Sequence, residues 1–387
     1  MRVRLRGPFA VLAAVAWSAV LLAAQSPTWI STPRTVAPGV QYYTSTDTTL
    51  VGSEGPIAVY LLRLDAAQVR LSSVLSNDEV VDAEPVPSIA ARHHAVAAIN
   101  AGFFNTRNGE PAGLLKVAGE LVSDIPVTKG AVAIRSPPRG TTTIEFDQVS
   151  AREVMTFKAA GRDRKVPING VDTTRERGKL MLYTPAYHAD TDTAGNGTEW
   201  VLNGRPLKVT EVRRNLGHTP IPRTGDVLSY GGLELPEDLA VLVPDTEVTF
   251  QTIWTTVHGL LPSHLDQADH IVDGNGLLRA KVQVLTEWSV EHFSVDFPLM
   301  RHPRTLIGVD RAGAIWLIAI DGRQPEHSIG MTFDELQRLC DRLHLTDALN
   351  LDGGGSTTMV INDEVVNTPS DVTGPRPVSD ALLVTIR

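Results

Sequence analysis

The sequence contains a single cysteine, and after its first segment it has no apolar stretch long enough to span a bilayer. With only Cys340 present, no internal disulfide can form, so the fold must be stabilised by a hydrophobic core, which a chain of 387 residues can build. Cys340 lies on the same face of a predicted helix as Leu336, Leu339 and Leu343. We therefore expect it to be a small buried hydrophobic residue and not a nucleophile.

Several motifs of common catalytic schemes are absent as well. The glycines at residues 353–355 lack the lysine and the spacing of a nucleotide-binding P-loop, and no Gly-x-Ser-x-Gly elbow of a serine hydrolase occurs. The eleven histidines include no His-Glu-x-x-His pair, and His264 and His270 are wrongly spaced for one helical face, which argues against a zinc site. Residues 190–199 resemble a calcium loop but have Ala194 where a third ligand is expected, so we predict a solvated loop. The sequence thus requires no cofactor and gives no support for a divalent metal, whose involvement stays open.

The first 24 residues have the pattern of a secretory signal. Arg2, Arg4 and Arg6 precede an apolar run over residues 9–24 that ends in small residues, which predicts cleavage near Ala24. An uncleaved membrane anchor is less favoured, because the run is shorter than the roughly 20 residues of a full span. Removal of this segment, with its three arginines and no acidic residue, changes the net charge from -9 to -12. We therefore expect an exported protein, extracellular or periplasmic, whose partners are neither nucleic acids nor anionic membrane surfaces.

Beyond this segment the sequence predicts one large domain rich in strands. Residues 25–39 are rich in Ser, Thr and Pro and are predicted to form a tether, and residues 40–387 are predicted to form the domain. Residues 332–343 predict an amphipathic helix that begins with a capping box of Thr332 and Glu335. An apolar strand at residues 314–321 precedes this helix and the strand "ALNL" follows it, which predicts a βαβ unit with parallel strands. We therefore expect an α+β fold with mixed sheets.

Four predicted strands run directly into polar turns that contain glycine. They end at Asn100 before "AGFF", at Asp273 before "GNG", at Asp321 before "GR", and at Asn350 and Asp352 before "GGGS". Each of these could be a common turn signal. An ordinary turn does not need three consecutive glycines, however, so the last one indicates an unusual backbone or a very close neighbour. Because ligands of open α/β sheets lie outside the carboxyl ends of strands, the four ends would supply one cleft if they converge.

A fifth element is the segment "HPRTLIG" at residues 302–308. Pro303 fixes the backbone just before Arg304, whose planar guanidinium group is suited to binding a phosphate or a carboxylate. A structural salt bridge is the alternative role for Arg304, and the sequence does not choose between the two.

Seven segments, in order along the chain from about residue 40 onward, resemble the phosphodiester glycosidase family. The resemblance implies a single α+β domain and hydrolysis of the bond between a sugar C1 and a phosphate oxygen, in bacteria within exopolysaccharide or cell-envelope metabolism. The stretches "IVDGNGLLRA" and "YHADTD" depart from the family pattern, which implies a different sugar preference. The matching segments are "AINAGFFN", "LMLYTPAY", "TPIPRTGDVLS", "HPRTLIGVD", "LIAIDGR", "ALNLDGGGSTTMV" and "VVNTPSD".

The residues suit this chemistry, because phosphate is already a good leaving group and a strong general acid is less necessary. We expect Asp352 to face C1 as nucleophile or as base for water, with Asp321 and Asp273 as alternative carboxylates. Arg304 and the amides of the three glycines are predicted to hold the phosphate. Asn100, Ser356 and Thr305 are predicted to orient sugar hydroxyls or phosphate oxygens. The full set of predicted substrate-binding residues is Asn100, Gly102, Phe103, Asp273, Thr305, Gly353, Gly354, Gly355, Ser356 and Thr357.

Two alternatives to this function remain open from the sequence. One is a non-catalytic polysaccharide-binding or envelope-assembly protein that keeps the family fold. The other is a metal-dependent phosphodiesterase that cuts the P–O bond instead of the C1–O bond. The retention of Asn100, Arg304, Asp321 and Asp352 together favours the glycosidase.

Overall fold

The computed structural model describes residues 29–124 and 127–387, and most of its regular elements are strands. The predicted signal, residues 1–24, lies outside the described residues. The first half of the chain forms β1 (Arg34–Ala37), β2 (Val40–Ser45), β3 (Val59–Leu64), β4 (Val69–Leu75), β5 (Glu84–Pro85), β6 (Ala97–Asn100), β7 (Leu115–Val117), β8 (Glu120–Ser123), β9 (Lys129–Arg135), β10 (Thr143–Ala159), β11 (Arg162–Pro167), β12 (Gly170–Val171) and β13 (Leu180–Tyr183). The second half forms β14 (Thr198–Asn203), β15 (Lys208–Arg214), β16 (Asp226–Tyr230), β17 (Val248–Thr256), β18 (His270–Gly274), β19 (Leu277–Ala280), β20 (Gln283–Val284), β21 (Arg304–Asp310), β22 (Ile315–Ile320), β23 (Leu345–Asn350), β24 (Met359–Ile361), β25 (Glu364–Val365), β26 (Pro377–Val378) and β27 (Asp380–Ile386).

Helices are short and few among the described residues. The α-helices are α1 (Val86–Arg92), α2 (Glu237–Ala240), α3 (Pro262–Gln267) and α4 (Phe333–Arg342), and 3₁₀ turns lie at Thr48–Leu50, Ser76–Asp78, Ser289–Glu291 and Gly354–Ser356. None of the helices within residues 29–124 and 127–387 has the length and apolar character needed to cross a membrane. The expected α+β class therefore holds only in a coarse sense, since the fold is mostly β.

The strands form several sheets, two of which carry the candidate site. The larger has the order β1-β2-β3-β22-β21-β23-β19-β20, and a five-stranded sheet has the order β25-β24-β6-β27-β4. Because β1 pairs with β2, the larger sheet already begins at Arg34, inside the segment of residues 25–39 that the sequence predicts to be a tether. The other sheets have the orders β11-β10-β9-β18-β7-β8 with β17 on β10, β12-β13-β16-β14-β15, and β26-β5.

The position of strand β22 between two hydrophobic clusters explains why its sequence is apolar at every position. Leu317 packs in a core cluster that includes residues of β6 and β27, whereas its neighbour Ile318 packs in a second cluster against α4. Side chains of successive strand residues point to opposite faces, so a strand covered on both faces is apolar throughout. Strand β22 thus lies in the middle of the larger sheet, with one hydrophobic cluster packed on each of its faces.

The helix expected after β22 is confirmed. The Thr332 hydroxyl accepts from the Glu335 amide at 3.3 Å, and the Glu335 carboxylate accepts from the Thr332 amide at 2.9 Å, which completes the predicted capping box. Cys340 is fully buried on the apolar face of α4, and this burial raises the pKa of its thiol to about 12. Cys340 is therefore a hydrophobic packing residue, as expected.

The expected parallel pairing of the βαβ unit is wrong. Strands β22 and β23 do run in the same direction, but β21 lies between them and is antiparallel to both. The reason is that β21 and β22 form a hairpin through residues 311–314, so the position beside β22 is already filled by β21 before α4 leads the chain back to the sheet. Among the described residues, only β12 and β13 pair in parallel as strands.

This pairing brings several strand ends together at one end of the larger sheet. Arg304, the first residue of β21, lies opposite Ile320 at the end of β22, and Leu306 lies opposite Asn350 at the end of β23. The end of β18 also reaches this place, because Gly274 lies against the carbonyl of Asn350 so closely that a side chain would overlap it. These strand ends therefore lie close together, whereas the prediction that they line one cleft stays a prediction.

Candidate active site

Asn100, the last residue of β6, joins the two sheets at this end. Its side chain is fully buried, and Nδ2 donates to the Asp352 carbonyl at 2.7 Å. Its Oδ1 accepts from the Thr305 hydroxyl at 2.9 Å and from the Thr358 amide at 3.1 Å. Since all of these partners are within the protein, Asn100 fixes the backbone that precedes the glycines and does not itself reach a ligand.

The three glycines each have a different close neighbour. A Cβ on Gly353 would lie 2.5 Å from the Pro303 carbonyl oxygen, and one on Gly354 would lie 3.0 Å from Nη2 of Arg323. A Cβ on Gly355 would overlap the ion pair of Asp371 and Arg376. Gly354 also has a φ of +61°, which favours glycine. The glycines therefore allow two guanidinium groups to approach the backbone beside Asp352.

Two of the three glycine amides already have acceptors inside the protein. The Gly353 amide donates to Oδ1 of Asp352 at 2.9 Å, and the Gly354 amide donates to the Pro303 carbonyl at 3.0 Å. The prediction that the amides of all three glycines hold a phosphate does not match this arrangement, because two of these amides are already bonded within the protein.

Asp352 is partly exposed, whereas Asp273, Asp321 and Asp380 are buried, so Asp352 is the aspartate of the site that lies nearest to solvent. Burial raises its pKa to about 7, although the neighbouring Ser356 hydroxyl, the Gly353 amide and the Arg376 guanidinium favour its charged form. A carboxylate with this pKa exchanges a proton near neutral pH, which suits general acid or base catalysis. Ser356 itself is fully buried in the turn.

Asp273, one of the alternative carboxylates, is covered by the protein. Its Oδ2 accepts from the Leu114 amide at 3.0 Å, and the space beside it is so tight that a Cβ on Gly113 would overlap the carboxylate. Burial raises its pKa to about 7 as well. Because the backbone of residues 113–114 separates Asp273 from solvent, it lies behind the site.

Asp321, the other alternative, is fully buried and saturated by protein donors. Its oxygens lie 2.8 Å from Nε2 of His327, 2.9 Å from the Asn367 amide nitrogen and 2.9 Å from the Thr368 backbone nitrogen. Asn367 in turn donates to the Thr357 carbonyl at 3.0 Å. Asp321 therefore anchors the loop after β25 to the turn of residues 353–355, here called the glycine turn.

Arg304 is 1% exposed, and its contacts are with neutral groups. Nε donates to the Met331 carbonyl at 3.0 Å, and Nη2 donates to the carbonyls of Phe297 and Met300 at 2.9 and 2.8 Å. The guanidinium also lies over the rings of Phe297 and Phe333, 4.6 and 4.8 Å from their centroids. Burial lowers its pKa to about 9. Arg304 thus positions the segment before β21. Among the described residues, no carboxylate forms the salt bridge that the sequence left open as its alternative role.

The remaining predicted contacts lie close by but are occupied within the protein. The Thr357 hydroxyl lies 3.3 Å from that of Thr305, and the Phe103 ring packs edge-on against Phe297 with centroids 6.3 Å apart. The Gly102 amide donates to Oδ1 of Asp380 at 3.0 Å. These residues support the site from behind the glycine turn.

Sequence reasoning missed Asp380, Arg323, Arg376 and His302 as members of the site. Asp380 is fully buried at the start of β27, accepts from the hydroxyls of Ser379 and Ser73 as well as from Gly102, and has a pKa that burial raises to about 6. Its only signal in the sequence is an acidic residue at the start of an apolar strand. Arg323 and His302 stand within segments that the resemblance had singled out, but without an assigned role.

One cluster of side chains that could hold a metal occurs among the described residues, and it does not include Asp352. Asp190 and Asp192 belong to the loop whose sequence resembles a calcium site, and they and His218 place one ligand atom each within 4.8 Å of one another. Asp352, Asp273 and Asp380 do not form such a group within residues 29–124 and 127–387.

Comparisons with known proteins agree with the resemblance seen in the sequence. The sequence model of the phosphodiester glycosidase family matches residues 196–385. N-acetylglucosamine-1-phosphodiester alpha-N-acetylglucosaminidase of Bos taurus is 37% identical over 68 residues, which are 18% of this chain and 12% of the bovine protein. The chain thus matches only a small part of the length of this curated relative.

Two solved structures share the fold over most of the chain. A protein from Synechocystis superposes with a TM-score of 0.75 at 24% identity, covering 91% of this chain and 63% of the other. A protein from Burkholderia pseudomallei K96243 that is described as exported superposes with a TM-score of 0.71 at 25% identity, covering 86% and 74%. Arg304, Asp321, Asp352 and Asp380 all lie inside the family match. Residues 196–385, just under half of the chain, are thus similar to the phosphodiester glycosidase family.

Proposed function

We propose that the protein is an exported hydrolase that cleaves the sugar C1–O bond of glycosyl-1-phosphodiesters in cell-envelope or exopolysaccharide metabolism. The observation that carries this proposal is Asp352, a partly exposed carboxylate with a pKa of about 7 on a glycine turn flanked by two guanidinium groups. Export is supported by the basic start and apolar run of the first 24 residues.

The arrangement fits the demands of the reaction. The departing phosphate is stable as an anion, so the enzyme must mainly hold that anion and stabilise the positive charge that develops at C1. An ionised Asp352 supplies the negative charge for C1, as a nucleophile or as a base for water. Arg323 supplies positive charge beside the same turn, and Arg376, which is paired with Asp371, also lies against it.

The proposal is tested with the purified protein and a small panel of sugar-1-phosphate diesters, with and without a chelator. Mass spectrometry is expected to detect a free sugar and a phosphomonoester. Hydrolysis in ¹⁸O-labelled water then identifies the bond that breaks. Label in the sugar supports C1–O cleavage, whereas label in the phosphate would replace the glycosidase with a phosphodiesterase.

The binding-protein alternative predicts a different result in the same experiment. A correctly folded protein that binds the diesters or a polysaccharide but releases no product would contradict the hydrolase. Far-UV circular dichroism and a cooperative thermal transition establish that the tested protein is folded.

A further inference from the structure

Arg323 packs against the glycine turn through the end of its guanidinium group. From a Cβ placed on Gly354, Nη2, Nη1 and Cζ of Arg323 would lie at 3.0, 3.1 and 3.3 Å. Because both terminal nitrogens would be nearer than Cζ, these nitrogens lie beside the turn. A ligand bound at the turn is therefore within reach of their N–H groups.

The positive charge of Arg323 has no carboxylate partner among the described residues. Its side chain is exposed, and its one polar contact is between Nη2 and Nδ1 of His302 at 3.3 Å. The nearby guanidinium groups differ in this respect, since Arg376 is paired with Asp371 and Arg301 with Glu335. Arg323 is therefore the guanidinium group on the glycine turn that is available to an anion.

A stack of aromatic and cationic groups stands behind Arg323. His302 stacks on Phe297 with centroids 6.1 Å apart at 28°, and the buried guanidinium of Arg304 also lies over the Phe297 ring. Burial and the charges of Arg304 and Arg323 lower the pKa of His302, and Arg323 also contributes to the lowered pKa of Arg304. These groups repel one another, and an anion bound among them would relieve that repulsion.

We propose that Arg323 and His302 form the subsite that binds the phosphate group of the substrate. Arg323 donates to two phosphate oxygens from its terminal nitrogens, and His302 donates to a third or orients the guanidinium. Arg304 acts as a positioning residue, because it holds Phe297 and thereby His302 in place. The assignment rests on the proposed function for the identity of the substrate, whereas binding of a phosphate anion can be measured without turnover.

The test is the binding of inorganic phosphate at pH 7, measured by isothermal titration calorimetry on the full protein. Arg323→Gln removes the charge at an exposed position and is expected to weaken binding about 10- to 100-fold, the range for hydrogen bonds to charged groups. Arg311→Gln is the matched control, because Arg311 is an exposed arginine in the turn at the opposite end of β22. It is expected to bind phosphate like the unaltered protein.

A second variant separates charge from shape. Arg323→Lys keeps the charge but cannot donate along a planar edge, so intermediate affinity is expected. The subsite is overturned if the unaltered protein binds no phosphate, or if Arg323→Gln binds it as well as Arg311→Gln does. Selective loss in Arg323→Gln supports the subsite even if no diester is hydrolysed, in which case the hydrolase proposal alone fails.

Discussion

The aspartates gathered at the site differ in what their oxygens contact. Asp321 and Asp380 accept from several protein donors, and Asp273 is covered by the backbone of residues 113–114. Asp352 combines partial exposure with a pKa of about 7. A carboxylate in this condition gains or loses its charge near neutral pH and can still touch a substrate.

Replacing Asp352 with Asn is therefore expected to lower kcat by about 10²- to 10⁴-fold, the usual contribution of a positioned acid or base. The fold should be unaffected, because Asn can still accept from the Gly353 amide. Steady-state kinetics on an active diester measures this effect. Asp363→Asn is the control, since Asp363 is exposed in the turn between β24 and β25. Near-normal kcat in a folded Asp352→Asn protein would remove Asp352 from the reaction.

The ionised form of Asp352 is the one that acts as nucleophile or base, so activity should depend on pH accordingly. We expect kcat/KM to rise with pH, to reach half its maximum near pH 7, and to fall about tenfold per pH unit well below that value. A pH–rate profile of the unaltered protein measures this. A midpoint near the ordinary aspartate pKa of 3.8 would contradict the role of burial at this residue.

At the scale of the elements, the unit β22–α4–β23 shows what was predictable from sequence. The helix, its cap and the flanking strands depend on neighbouring residues, and each was found where the pattern placed it. Which strands pair with β22 and β23 depends on the hairpin between β21 and β22, and the periodicity of apolar residues does not reveal such a pairing. The structural role of Arg304 could not be predicted from the sequence either, because one of the carbonyls that it bonds belongs to Met331, which is 27 residues away.

The capping box at the start of α4 gives a test at this scale. Thr332→Ala removes the acceptor for the Glu335 amide and is expected to lower the free energy of unfolding by about 0.5–2 kcal/mol. Urea denaturation compares it with Thr373→Ala, a change at an exposed position outside the helices and strands. Equal stability of the two variants would show that the cap does not stabilise the helix.

At the scale of the whole molecule, buried acidic groups with raised pKa values recur beyond the site. Burial raises the pKa of Asp124 and Asp226 to about 6 and that of Glu153 to about 7, as it does for Asp352, Asp273 and Asp380 at the site. The folded protein therefore holds more protons than the unfolded chain in this range. Stability must fall as the pH rises through these values.

Asp273 tests this relation most directly. Its contribution is fully present below the ordinary pKa of 3.8 and is lost as the pH rises through about 7. The Asn side chain of Asp273→Asn cannot ionise, so the variant does not lose this stability as the pH rises. The free energy of unfolding of the variant minus that of the unaltered protein should therefore be larger at about pH 8 than at about pH 5, by at least about 1 kcal/mol. Urea denaturation at both pH values measures the change. A difference that does not vary with pH would show that Asp273 does not titrate in this range.

The contacts that build the site join distant parts of the chain. Asn100 and Asp352 are separated by 252 residues, and Gly102 and Asp380 by 278. No pattern within a window of sequence can reveal such pairs, which is why Asp380 was not predicted. Forming these contacts also costs the conformational entropy of closing very long loops, and this cost slows folding.

Strand β27, which supplies Asp380, lies between β6 and β4 in its sheet. Because β6 ends at Asn100, the support of the Asp352 backbone is incomplete until β27 has entered the sheet. During synthesis on the ribosome, the candidate site can therefore form only after residues 380–386 have left the exit tunnel, long after Asn100 itself has been made.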